Sequence, residues 1–83
     1  MSKNEMQFNL ALAEAKQSQL RAEYYAKRIE TGSYKERIGK SLNFDKTPRT
    51  EQEILQDEVE TMYRHIDLAE KHLDMAKHYL ANE

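Results

Sequence analysis

Cysteine and tryptophan are absent from this chain of 83 residues. Without cysteine there is no disulfide and no Cys-ligated zinc to staple so short a chain, so stability must come from long helix packing or from assembly. Two glycines and one proline are too few to punctuate anything but long helices. No long apolar run is present: Phe8 to Ala15 is the most apolar stretch, and Asn9 and Glu14 interrupt it. A membrane span and a signal peptide are therefore not expected, and a cytoplasmic location is. No glycine-rich phosphate loop occurs, and no Ser or Thr stands in a spacing that suggests a His and Asp relay, so an enzyme is not expected. What the chain does have is charge, 34% of its residues, summing to −2.

The pattern predicts one all-α domain over residues 1–83, a helical hairpin of two long antiparallel helices with coiled-coil-like packing that assembles into a helical bundle. The first helix is expected from about 4 to 31, with Asn4 as N-cap and Gly32 at the left-handed position after its end. Ser33 and Glu36 have capping-box spacing and open a short helical turn over 34–38 that Gly39 ends. Residues 39–47 lack periodicity and read as loop. Thr47 as N-cap with Pro48 at N1 starts the last helix, about 48–81, although Thr50 with Glu53 is a competing capping box.

Leu55, Val59, Met62, Ile66, Ala69, Leu73, Ala76 and Leu80 run at alternating spacings of four and three, the stripe of a helix that packs on other helices. Thr61, His65, Leu68, His72, Met75 and Tyr79 form a second track beside it. The first helix also has two tracks, Phe8, Leu12, Ala15, Gln19, Ala22, Ala26, Ile29 and Met6, Leu10, Ala13, Gln17, Leu20, Tyr24. A two-helix hairpin needs one buried stripe per helix, so the second stripe implies a second neighbour. We therefore expect a homo-oligomer with Leu10, Leu20, Tyr24, His65, Leu68, His72, Met75 and Tyr79 at its interface. Gln17 and Gln19 stand in otherwise apolar tracks, where a glutamine paired across a symmetry axis can fix register.

Charge divides unevenly along the chain. Residues 27–49 hold seven basic and three acidic side chains, a balance of +4, whereas residues 50–83 hold three basic and nine acidic, a balance of −6. The hairpin gathers the basic segment at one end, with Lys27, Arg28, Lys35, Arg37, Lys40, Lys46, Arg49 and the rings Tyr25, Tyr34 and Phe44. That composition suits an anionic ligand or an acidic partner surface, since Arg and Lys neutralise phosphate and rings stack on bases. Duplex DNA is disfavoured by the overall acidity. No metal or other cofactor is expected, because His65 and His72 lie about 10 Å apart along one helix and no Glu-x-x-His pair occurs.

Two functions fit these observations. One is a small protein-interaction module, an inhibitor, adaptor or assembly factor that acts through self-association and a partner-binding face. The other is a protein that binds or sequesters phosphorylated or nucleotide ligands at the basic connector. The latter would be analogous in size and architecture to phage-encoded helical proteins that sequester signalling nucleotides, and would make the chain a phage protein.

Overall fold

The computed structural model describes residues 3–81. Two long helices, α1 (Lys3–Thr31) and α2 (Glu51–Ala81), pack side by side as a hairpin, and a short 3-10 helix, Ser33–Arg37, opens the connector between them. Asn4 lies inside the first turn of α1 rather than capping it. That helix stops where Gly32 takes the left-handed conformation at φ 79° and its amide bonds back to the Ile29 carbonyl at 3.3 Å. The backbone there needs a residue without a Cβ. Gly39, at φ 81°, repeats the device after the 3-10 helix.

Two further expected caps are not used. Ser33 and Glu36 form no capping box, because Gly32 holds the cap position and Ser33 is already helical; its hydroxyl lies 2.9 Å from that of Thr31. α2 begins at Glu51 rather than near Pro48. Pro48 is drawn into an antiparallel bridge with Leu42, and the Thr47 hydroxyl donates to Asp45 at 2.6 Å instead of capping a helix. The cap falls to Thr50, whose hydroxyl accepts the Glu53 amide at 3.1 Å while the Glu53 carboxylate accepts the Thr50 amide at 3.1 Å. Those bonds hold the Glu53 carboxyl below its ordinary value, the Thr50 backbone amide contributing most.

The stretch expected as plain loop is a small turn closed on itself. The Asn43 amide donates to Thr47 O at 2.8 Å, Lys46 to Asn43 O at 2.9 Å, and Arg49 to Ser41 O at 2.9 Å. Asp45 accepts both the amide and the hydroxyl of Thr47, which lowers its carboxyl below the usual range, the hydroxyl contributing most. Lys46 takes φ 70°, and Phe44 sits fully exposed at the tip.

The helices meet along small residues. Ala11, Ala15, Ser18 and Ala22 of α1 are buried, as are Ile54, Glu58, Ala69 and Ala76 of α2. With half-buried Phe8, Tyr25 and Ile29 the α1 row steps by three and four without a break; it keeps Phe8, Ala15, Ala22 and Ile29 of the first expected track and takes Ala11, Ser18 and Tyr25 where Leu12, Gln19 and Ala26 were expected. The aliphatic stripe of α2 is consequently not the buried seam it was expected to be. Of its eight residues only Ala69 and Ala76 are buried, while Leu73 is 41% exposed and Leu80 is exposed too. Alanine and serine let two backbones approach closely, so the contact centres on them, and longer side chains are left on the flanks of each helix. The result is a single layer of 53 × 27 × 16 Å.

Candidate functional site

Two places on the hairpin concentrate chemistry, the connector end and the open face. At the connector end Glu58, only 2% exposed, receives Arg28 through Nη2 at 2.8 Å and Nε at 3.0 Å. Arg37 lies 3.5 Å from the same carboxylate and 3.1 Å from Asp57, and it donates to Ser41 Oγ at 3.2 Å. The hydrogen bond to Glu58 raises the Arg28 pKa above its ordinary value against the opposing effect of burial. The Arg28 guanidinium also lies 5.8 Å from the centre of the Tyr24 ring. Two guanidinium groups and two carboxylates thus cancel, tying α1, the connector and α2 together.

This cluster rearranges the expected basic site. Arg28 and Arg37 point at acid rather than outward, Lys35 lies 3.8 Å from Glu51, and Tyr34 is buried with its hydroxyl 3.5 Å from Glu51. Tyr25 stacks on His65 within the helix contact, centroids 5.8 Å apart and planes 13° apart. Lys27, Lys40 and Lys46 remain exposed and Arg49 half-buried. A shallow hollow of about 380 Å³ lies among Arg28, Glu36, Arg37, Lys40 and Ser41, and none of Tyr25, Tyr34 or Phe44 lines it. The ring that does sit with cations is Tyr24, which lines a second hollow of about 420 Å³ with Lys27 and Arg28.

The expected oligomer interface is also divided. His65, His72 and Tyr79 are half-buried on the α1 side of α2: His65 against Tyr25, His72 with Nδ1 3.1 Å from the Glu14 carboxylate, and Tyr79 beside Phe8. The His72 contact has ion-pair distance without hydrogen-bond alignment. These residues serve the hairpin because the contact stripe of α2, set by its alanines, passes between the two tracks. Leu10, Leu20, Tyr24, Leu68 and Met75 are exposed. Among the described residues, no three of His, Asp or Glu gather closely enough to hold a metal ion.

The open face carries the larger feature. Gln19, Ala22 and Ala26 of α1 and Met62, Ile66 and Leu73 of α2 line a groove of about 510 Å³, with Ala69 at its floor and Glu23 and Glu70 also on its walls. Leu12, 39% exposed, lies on the same track of α1 beyond the groove. Gln17 and Gln19 are both exposed, and of the two only Gln19 lines the groove. The first tracks of both helices thus share one face, because antiparallel neighbours present equivalent flanks on the same side.

The chain matches no family model, no curated protein and no solved structure. The residue that sequence reasoning missed is Glu58. Its one signal was position: it falls in the row Ile54, Glu58, Thr61, His65, where a lone carboxylate among contact residues calls for a buried partner.

Proposed function

We propose that this chain is a helical protein-interaction module whose working surface is the groove between α1 and α2. One observation carries the reading: the hairpin closes largely on small residues and leaves Met62, Ile66 and Leu73 lining an open, mainly apolar channel. Such a channel matches the stripe of another helix, whose residues at i, i+3, i+4 and i+7 fill it. Inhibitor, adaptor and assembly factor are all roles such a surface serves.

The reading as a nucleotide or phosphate binder has less support, since Arg28 and Arg37 are occupied by Glu58 and Asp57. A photo-crosslinking residue placed at Ala26, on the groove wall, tests the proposal in the cells that make the protein, with Lys71 on an exposed face as the control position. Specific protein adducts at 26 and none above background at 71 are expected. Equal labelling at both positions would remove the groove from consideration, and a thermal shift with mono-, di- or cyclic nucleotides would favour the ligand reading instead.

A further inference from the structure

We infer that the occupant of this groove is a second copy of the chain, packed face to face. The inference rests on the groove being the working surface and adds what fills it. Two observations point to a second copy.

The first is area. A folded monomer of 9.8 kDa has an accessible surface of about 5,200 Å², and this chain has 6376 Å². The surplus, about 1,200 Å², comfortably covers the roughly 800 Å² that each partner loses in a standard interface.

The second is layering. Two helices make one layer, whereas a helical domain ordinarily encloses its core between two. A copy of the same face supplies the missing layer with matching chemistry: aliphatic residues from α2 of each copy meet the small residues Ala22 and Ala26 of the other, large against small.

Sedimentation equilibrium at tens of micromolar is expected to give twice the 9.8 kDa chain mass. Leu12→Glu and Leu73→Glu, both at exposed positions of the isolated hairpin, should halve that mass with helicity retained, and Leu20→Glu on the opposite side of α1 should not change it. Should the groove variants unfold, single cysteines decide, because the chain has none of its own. Gln19→Cys, on the groove wall, is expected to become shielded from a maleimide reagent as protein concentration rises, and Gln17→Cys is not. A monomeric mass for the parent, a dimer lost in Leu20→Glu but kept in Leu73→Glu, or shielding at 17 in place of 19 would overturn the second copy. Adducts to a different protein at Ala26, with a monomeric parent, would overturn it while leaving the interaction module standing.

Discussion

Glu58 joins three parts of the chain through one carboxylate. Arg28 reaches it from α1 and Arg37 from the connector, and it is 2% exposed. Removing Glu58 leaves Arg28 and Arg37, both part-exposed, without their shared acceptor, and losing hydrogen bonds to a charged group costs about 1.5–3 kcal/mol. Glu58→Ala is therefore expected to lower the urea midpoint. A loss under 1 kcal/mol would mean that the cluster does not hold the hairpin. Sequence could not single this residue out among nine carboxylates of the segment from 50 onward. What distinguishes it is a partner thirty residues away, and that proximity exists only after the chain has turned back. Reversing the charge of Arg37 would disturb Asp57 and Glu58 as well as the basic end.

The elements follow from local chemistry that was largely readable. Both helices, the left-handed Gly32 and the stop at Gly39 lie where spacing and breaker residues indicate. The start of α2 was ambiguous between two signals three residues apart, and the reciprocal Thr50 and Glu53 bonds prevail because the Leu42–Pro48 bridge holds Pro48 outside the helix. Thr50→Ala should cost about 1 kcal/mol. The depressed Glu53 carboxyl gives this cap a pH signature. A carboxyl lowered in the folded state contributes its full stabilisation above the unfolded chain's ordinary value and loses it as pH falls through the lowered one. Thermal melts at pH 7 and pH 3 should therefore show a smaller acid-induced drop for Glu53→Gln than for the parent. An equal drop would indicate that the cap does not titrate with folding.

For the molecule as a whole, the sequence indicated that each long helix has more apolar surface than a hairpin can cover. The rotation of the helices was not legible. Neighbouring heptad tracks differ by less than half a turn, and side-chain size decides between them: Ala11, Ser18 and Ala69 admit a closer approach than Leu12 or Ile66 would. The turn from Ser41 to Arg49 has a consequence of another kind. It is satisfied by its own hydrogen bonds and carries Phe44 fully exposed at its tip, so it offers chymotrypsin an accessible aromatic in a segment that no helix needs for its core. Cutting there would leave α1 and α2 intact and remove only their tether. A flexible tether keeps its two ends at an effective concentration in the millimolar range. The nicked protein should therefore keep its helical signal when concentrated and lose it on dilution to micromolar, whereas the uncut hairpin fold does not depend on that tether being supplied by mass action. If the nicked pieces melt at the same temperature at every concentration, the pairing of α1 with α2 does not rely on the link between them.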